Sequence, residues 1–243
     1  HSDLRRQRQM CIRDRCRAWP MTGRWPNSFW AMTDSRTHIV GVVGGSASGK
    51  GTVVTRLLNH YGSRAAVLRM DDYYRPIGEV PRDGEGEPNF DVPGALALEQ
   101  LAKDLDQLKA GQDLHIQSYT FNQPGVEPEP LHIPAVPVVF LDGLFMLHDN
   151  GVRSRLDLSV LVHATPERRL ARRMVRDQAE RSLTPDIIQY QWDKHVRPGD
   201  LTFLEPVQHL ADVVVDNDRD VPIDLTPALT AIDTLLNDLS LIH

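Results

Sequence analysis

The sequence predicts an α/β protein built on a doubly wound, mainly parallel sheet of five strands. Five short apolar runs have the composition of buried strands, and segments with helical patterns separate them. The runs are residues 38–43, 66–70, 137–141, 158–163 and 212–215. Because parallel strands need crossover connections, which are usually helices, this alternation favours a single sheet covered by helices.

The first strand leads into the most informative segment of the chain, the glycine-rich loop of residues 44–52. A loop between a strand and a helix turns successive backbone N–H groups toward one point, where the helix dipole also favours negative charge. Lys50 would add a cation for the β- and γ-phosphates, while Gly44 and Gly49 permit a backbone approach that a Cβ would block. The predicted nucleotide contacts are Gly44, Gly45, Ser46, Ala47, Ser48, Gly49, Lys50, Gly51 and Thr52. The segment predicts a P-loop NTPase-type fold; the alternative is an ordinary strand–turn–helix corner with incidental glycines.

One position of the glycine-rich loop departs from the usual pattern. Gly51 stands where Ser or Thr usually supplies a hydroxyl to Mg²⁺. We expect Thr52, one residue on, to supply that hydroxyl directly or through water. The order Gly-Lys-Gly-Thr resembles that of adenylate-kinase-type loops, so the departure is compatible with nucleotide binding.

Leucine spacing and Thr-Pro starts predict the helices that follow. Residues 94–110 carry a stripe of leucines at helical spacing, and a glycine stop follows it. Further helices are expected to begin at Thr165, Thr184 and Thr226, each of which precedes a proline suited to the first helical turn.

A small β-excursion is expected beside the sheet. Residues 114–121 and 131–136 read as two extended pieces, and they flank a loop rich in proline and glutamate at 124–130. The sequence contains no internal repeat and no second domain signal.

Composition bounds the possible partners. The net charge of −6 argues against general nucleic-acid binding, and no apolar stretch reaches the length of about 20 residues that spans a membrane. Both cysteines, Cys11 and Cys16, lie in the first 37 residues, so no disulfide framework or cysteine zinc site is expected in the remainder. A reducing cytoplasm fits this composition.

The two ends of the chain are expected to lie outside the domain. Residues 1–31 are basic, lack helical or strand periodicity, and resemble translated adapter sequence, as do residues 239–243. We therefore expect a non-native or disordered leader, a single domain over residues 32–238 with a plausible start at Met32, and an artefactual tail. The alternative for the leader is a genuine basic, disordered arm.

Acidic residues follow two of the predicted strands. Asp71 and Asp72 come directly after the second strand, and Asp142 ends the apolar run 137–141 in the form of a Walker B strand. The carboxyl ends of parallel strands face the ligand crevice of an open sheet. A carboxylate there can orient or deprotonate an acceptor hydroxyl, or hold Mg²⁺ through water. The alternative in each case is a turn-forming acid at a strand end.

Arginines crowd the helix that begins after Thr165. Three of them, Arg169, Arg173 and Arg176, share one helical face. Guanidinium groups suit phosphate oxygens because they are permanently charged and can donate two parallel hydrogen bonds. A solvated charged face is the alternative reading, although few acids balance these arginines. We expect this helix to act as a lid over the phosphates.

Taken together, these motifs resemble the phosphoribulokinase/uridine kinase family of P-loop kinases, and its uridine kinase branch in particular. The resemblance covers about residues 38–217 in the family's order. The segments that carry it are the glycine-rich loop, Asp71-Asp72-Tyr73-Tyr74, Asn89-Phe90-Asp91, Tyr119-Thr120-Phe121, the arginine-rich helix, Phe203-Leu204-Glu205-Pro206 and residues 211–215. The resemblance implies ATP-dependent, Mg²⁺-dependent phosphorylation of a nucleoside 5′-hydroxyl, uridine or cytidine first, in pyrimidine salvage.

The resemblance also implies roles for individual residues. The implied catalytic residues are Asp71, Lys50, Arg173 and Arg176. The implied contacts to the nucleoside are Tyr74, Asp91, Tyr119, Phe121, Arg173, Arg181 and Gln191. Oxygen ligands for Mg²⁺ are expected from Thr52, Asp71 and Asp142.

Three departures from the family pattern leave the acceptor open. Asp142 stands where Glu is usual, Leu183 stands where a second lid arginine is common, and the residues after Phe121 lack the His and Arg that read a pyrimidine. Alternatives are a sister kinase for nicotinamide riboside or a sugar phosphate, and a non-catalytic nucleotide-binding regulator. A GTPase-like switch is weakened by the absence of an Asn-Lys-x-Asp signature. Homo-oligomer formation is left open.

Overall fold

A computed structural model of the chain describes residues 36–120, 127–219 and 221–237. Its strands are β1 (His38–Val43), β2 (Ala65–Arg69), β3 (Leu114–Gln117), β4 (Pro130–Ile133), β5 (Val138–Gly143), β6 (Leu158–His163) and β7 (Val213–Asp216). Five of them form one parallel sheet in the order β2-β5-β1-β6-β7. The predicted fold class is therefore confirmed.

Helices connect these strands along the chain. They are α1 (Lys50–Tyr61), α2 (Leu98–Lys109), α3 (Asn150–Arg153), α4 (Pro166–Arg181), α5 (Pro185–Gln191), α6 (Arg197–Gly199) and α7 (Thr226–Asn237). Two π-helical turns, Trp192–Val196 and Asp200–Leu204, flank α6, so residues 185–204 form one continuous helical run. We call α4 the arginine helix and refer to residues 185–204 as the 185–204 run. Among the described residues, no helix has both the length and the apolar character needed to cross a bilayer.

The sheet is buried on both of its faces. All six residues of β1 are buried, as expected for a central strand of a parallel sheet. On one face, α1 contributes Val53, Val54 and Leu57 to the core. On the other face lies the predicted leucine stripe of α2, Leu98, Leu101, Leu105 and Leu108, all of it buried.

Two details at helix starts differ from the sequence prediction. Helix α2 begins at Leu98 rather than near residue 94, because Leu96 is extended and forms an isolated β-bridge with Tyr74. Thr165 precedes α4 as predicted, but its side chain forms no capping bond. Its hydroxyl instead donates to Asp218 Oδ1 at 2.8 Å, which ties the helix start to the segment after β7.

The β-excursion is an antiparallel pair of strands, β3 and β4. Both strands are shorter than the extended pieces expected from the sequence. Phe121 lies outside the described residues, and so do the expected leader 1–31 and tail 239–243.

Strand register brings three functional segments to one edge of the sheet. Val43 pairs with Gly143, and Arg69 pairs with Asp142, so β1, β5 and β2 end at the same level. The glycine-rich loop follows β1, and Asp71 lies in the short 3₁₀ turn Met70–Tyr73 after β2. The carboxylates at 71 and 142 therefore lie at the same edge as the loop.

Candidate active site

The glycine-rich loop is held by contacts from behind. Gly49 adopts a left-handed backbone conformation with φ of 103°, and a Cβ at this position would collide with the side chain of Asn217. Asn217 Nδ2 donates to the carbonyl of Ser48 at 2.7 Å. Since Asn217 directly follows β7, the outer strand of the sheet fixes the backbone at the start of α1.

Lys50 and Ser48 point their polar atoms at the interior of the loop. Lys50 Nζ donates to the carbonyl oxygens of Gly44 at 2.7 Å and Gly45 at 3.3 Å. Ser48 is 1 % exposed, and within the described ranges its hydroxyl has no hydrogen-bond partner. A buried hydroxyl without a partner, next to an ammonium and a helix N-terminus, fits a loop that receives phosphate oxygens.

The strand-end carboxylates fit a magnesium ion that also contacts phosphate. Asp142 is half-buried at the end of β5, and none of the described residues donates a hydrogen bond to its carboxylate. Asp71 and Thr52 are exposed at the same edge. In the described parts of the chain, no group of three or more His, Cys, Asp or Glu side chains could hold a metal alone. Mg²⁺ is usually bound by one or two carboxylates together with substrate phosphates, and these residues offer oxygens of that kind.

Tyr74 is the centre of the predicted acceptor side. Its ring lies 5.2 Å from that of Phe90 and 5.5 Å from that of Tyr119, between ring centroids. Burial raises the pKa of the Tyr74 hydroxyl, and the negative charges of Asp71 and Asp91 raise it further. The structure therefore brings Tyr74, Tyr119, Asp71 and Asp91 together.

Asp91 presents a carboxylate to the acceptor side. Its backbone N–H donates to Asn89 Oδ1 at 2.9 Å, and no described residue donates a hydrogen bond to its carboxylate. Burial raises its pKa, while the guanidinium of Arg173 opposes the shift. Val92, not Asp91, takes the cap position of the short 3₁₀ turn Pro93–Ala95 that follows, so Asp91 is not a capping residue.

The arginine helix contacts the glycine-rich loop directly. Arg173 Nη1 donates to the hydroxyl of Ser46 at 2.7 Å, and Arg173 Nη2 donates to Gln191 Oε1 at 3.1 Å. Arg173 is 5 % exposed, which contradicts the reading of this helix face as solvated. The predicted residues Arg173 and Gln191 thus meet at the loop.

One buried acid orders the other predicted arginines. Asp177 is fully buried, and its carboxylate lies 3.3 Å from Arg173, 2.7 Å from Arg176 and 3.4 Å from Arg181. Burial opposes ionisation, but the three guanidinium groups outweigh it and lower the pKa of Asp177. Sequence reasoning missed Asp177, although its spacing of four from both Arg173 and Arg181 was a usable signal.

Asp200 was not predicted from the sequence, and Arg169 was predicted to lie on the arginine face but was given no role of its own in the site. Arg169 is 5 % exposed, pairs with the buried carboxylate of Asp200, and lies against Gly45 of the loop. Arg169 shares the helix face of Arg173, so its spacing was a signal, whereas nothing local marked Asp200. Leu183, at the position of the missing lid arginine, packs against Ile187 and Ile188 instead.

Comparison with known proteins gives a consistent result. The sequence model of the Phosphoribulokinase / Uridine kinase family matches residues 39–224. A uridine kinase of Deinococcus deserti is 36 % identical over 181 residues, which cover 74 % of this chain and 87 % of that protein. Uridine-cytidine kinase B of Dictyostelium discoideum is 32 % identical over 190 residues, or 77 % of this chain and 78 % of the relative.

Solved structures share the fold. Phosphoribulokinase from Rhodobacter spheroides superposes with a TM-score of 0.56 at 16 % identity, covering 75 % of this chain and 70 % of that chain. D-glycerate 3-kinase from Cryptococcus neoformans superposes with a TM-score of 0.54 at 14 % identity, covering 92 % and 95 %. At these identities the likeness concerns the fold alone.

Proposed function

We propose a function on the basis that the chain belongs to the phosphoribulokinase/uridine kinase family. In this proposal the protein transfers the γ-phosphoryl group of ATP to the 5′-hydroxyl of a nucleoside, with uridine or cytidine as the first candidates. The products would be ADP and the nucleoside monophosphate. The setting implied by this proposal is pyrimidine salvage in the cytoplasm, and the protein's partner is a small molecule rather than nucleic acid or membrane.

One observation carries the proposal: Arg173 contacts Ser46 on the nucleotide side and Gln191 on the acceptor side at once. A guanidinium in this position would stabilise the charge that develops on the transferring phosphoryl group. The loop amides and Lys50 would hold the β- and γ-phosphates on the opposite side.

Asp71 would position the acceptor. Its carboxylate would accept the proton of the 5′-hydroxyl as the hydroxyl oxygen forms a bond to the γ-phosphorus. The bond between the γ-phosphorus and the β–γ bridging oxygen breaks in the same step, and ADP leaves. Bound Mg²⁺ would neutralise phosphate charge, with Thr52, Asp71 and Asp142 as its protein oxygens.

The acceptor itself would lie between Tyr74, Tyr119 and Asp91. The carboxylate of Asp91, to which no described residue donates, could accept hydrogen bonds from sugar hydroxyls, with Arg181 nearby. The aromatic rings of Tyr74 and Tyr119 offer flat apolar surface for a base. Closure of the arginine helix over the phosphates would exclude water and limit hydrolysis of ATP.

An acceptor panel tests the proposal. The purified chain would be incubated with ATP, Mg²⁺ and, in separate reactions, uridine, cytidine, adenosine, guanosine, nicotinamide riboside or a sugar phosphate, and ADP and phosphorylated product would be quantified. Uridine or cytidine is expected to give the highest kcat/KM, with little ADP formed when no acceptor is present. Preference for another acceptor would overturn the substrate assignment. ATP binding without any product would favour a non-catalytic regulator.

A further inference from the structure

A line of direct contacts joins the acceptor side of the site to the glycine-rich loop. It begins at Asp91, passes through the 185–204 run at Gly199 and Asp200, continues through Arg169, and ends at Gly45. Arg169 and Asp200 take no part in the transfer proposed above. Both are nonetheless almost completely buried, at 5 % and 1 % exposed.

Arg169 is fixed on three sides. Its guanidinium pairs with the carboxylate of Asp200 and lies 5.3 Å from the centroid of the Trp192 ring, a cation–π contact. On its third side it lies so close to Gly45 that a Cβ there would overlap with it. The position of Arg169 and the backbone conformation of the loop are therefore mutually dependent.

At the acceptor end of this line of contacts, Gly199 packs tightly against the backbone of Asp91. A Cβ at Gly199 would collide with the backbone carbonyl of Asp91, so this segment packs directly on α6. Asp200 is the next residue along the chain. Any shift of Asp91 that displaces Gly199 would also displace the carboxylate that holds Arg169.

We propose that Arg169 and Asp200 are positioning residues that couple acceptor binding at Asp91 to the conformation of the glycine-rich loop. A nucleoside that draws Asp91 into place would, through Gly199 and Asp200, set Arg169 against Gly45 and favour the ATP-binding form of the loop. By linkage, ATP on the loop would order the acceptor side to the same extent. The inference rests on the proposed function in two respects: the loop binds ATP, and the acceptor nucleoside binds at Asp91.

The decisive variant removes both charges together. Breaking a buried ion pair on one side leaves an unpaired charge and can prevent folding, whereas replacing both partners with apolar residues is often neutral. The test therefore uses R169M/D200L, with D200N as a single-site comparison. D104N is the matched control, because Asp104 is also a buried acid but accepts hydrogen bonds from Tyr73 and Gln100.

Hydrogen exchange with a non-hydrolysable ATP analogue and Mg²⁺ measures the coupling without any acceptor. In the wild type and in D104N, the analogue is expected to slow exchange both in the loop, residues 44–52, and in the distant segments 88–95 and 195–204. In R169M/D200L, the loop is expected to remain protected while protection of the distant segments is lost. Persistent distant protection in that variant, or none in the wild type, would overturn the coupling.

Calorimetry then measures the reciprocal effect with uridine. We expect saturating uridine to tighten binding of the analogue by about tenfold in the wild type and by less than about twofold in R169M/D200L. If the analogue protects the loop and the distant segments but the protein phosphorylates no nucleoside, the proposed substrate is wrong and the coupling is still supported by the exchange data. A loop that never responds to the analogue would contradict both.

Discussion

The guanidinium of Arg173 donates a hydrogen bond of 2.7 Å to the hydroxyl of Ser46, which ties the arginine helix directly to the glycine-rich loop. Asp177 holds the same guanidinium from behind at 3.3 Å. The protein's own side chains thus fix a positive charge beside the loop, and in the proposed reaction this charge would stabilise the transferring phosphoryl group.

Replacing Arg173 with Lys should lower kcat by about one hundredfold, because the ammonium cannot contact Ser46, Gln191 and phosphate at once. The KM for ATP should change by less than about threefold, since the loop still holds the nucleotide. Steady-state kinetics with uridine measure both constants. Arg168→Lys on the same helix is the control, because Arg168 is directed toward Asp218 at 3.6 Å. Equal effects of the two changes would refute the role given to Arg173.

The adjacent acids Asp71 and Asp72 offer a matched pair of variants. Asp71→Asn should lower kcat by about a thousandfold while binding of an ATP analogue survives, because the amide cannot accept the acceptor's proton. Asp72→Asn should lower kcat by less than about tenfold. Asp72 instead accepts a hydrogen bond from the backbone N–H of Tyr119 at 3.2 Å, a bond that Asn can keep. Near-normal turnover of Asp71→Asn would show that another group holds the acceptor hydroxyl.

The sequence was sufficient for those parts of the site that follow a strand directly. Residues 44–52 and Asp142 are placed by parallel strands whose ends share one edge, so a motif at a strand end predicts its own location. The spacing of Arg169, Arg173 and Arg176 likewise predicts one helix face. The structure adds that Arg169 and Arg173 on this face are buried against the loop.

Asp200 and Asn217, which sequence reasoning did not find, depend on contacts between distant segments. Asp200 meets Arg169 from 31 positions away, and Asn217 meets Ser48 from 169 positions away. Two π-helical turns in the 185–204 run also shift its faces away from the usual helical period. No local pattern encodes these contacts, because tertiary packing decides them.

The exposed Gly51 and Thr52 provide a test of the magnesium site. Thr52→Ala should raise the Mg²⁺ concentration needed for half-maximal activity by about fivefold to tenfold, because one oxygen ligand is lost. A Cβ at Gly51 would meet no atom within 4 Å, so Gly51→Ser should fold normally. In the Thr52→Ala background, Gly51→Ser should restore the requirement by supplying the hydroxyl at the usual position. Magnesium titrations of the four proteins measure this, and an unchanged requirement in Thr52→Ala would exclude Thr52 as a ligand.

Asp83 should make stability depend on pH. Burial opposes its ionisation, but hydrogen bonds from His195 at 2.7 Å and Tyr190 at 2.8 Å outweigh burial and hold its pKa well below the usual range. The unfolded chain then binds more protons than the native one, so this stabilisation is present above the unfolded pKa and disappears as the pH falls through the native pKa.

Asp83→Asn should therefore lower the free energy of unfolding by about 1–3 kcal/mol at pH 7, and the difference from the wild type should shrink below about pH 4. Urea unfolding at several pH values measures it. Asp193→Asn is the control, because Asp193 is exposed and its carboxylate accepts hydrogen bonds from the neutral amide of Gln189. A difference that is independent of pH would show that the charge of Asp83 does not account for its contribution to stability.

Asp91 should affect activity and stability in opposite directions. Burial raises its pKa and Arg173 offsets this only in part, so the native chain binds more protons than the unfolded one between the two pKa values. Ionisation of Asp91 thus costs stability, with no cost below the unfolded pKa and the full cost above the raised native pKa. Asp91→Asn should raise the melting temperature at pH 7.5, with no difference left in strong acid.

The same change should raise the KM for the nucleoside by about one hundredfold, because a charged acceptor of sugar hydroxyl hydrogen bonds is lost, while the KM for ATP stays within about threefold. In the wild type, kcat/KM for the nucleoside should fall on the acid side at a pH above the usual aspartate range, and Asp91→Asn should remove that limb. If Asp91→Asn has both a higher melting temperature and a higher KM for the nucleoside, Asp91 contributes to binding at the expense of stability. A lower melting temperature at pH 7.5 would instead make Asp91 part of the scaffold, since its ionised form would then be favourable to folding.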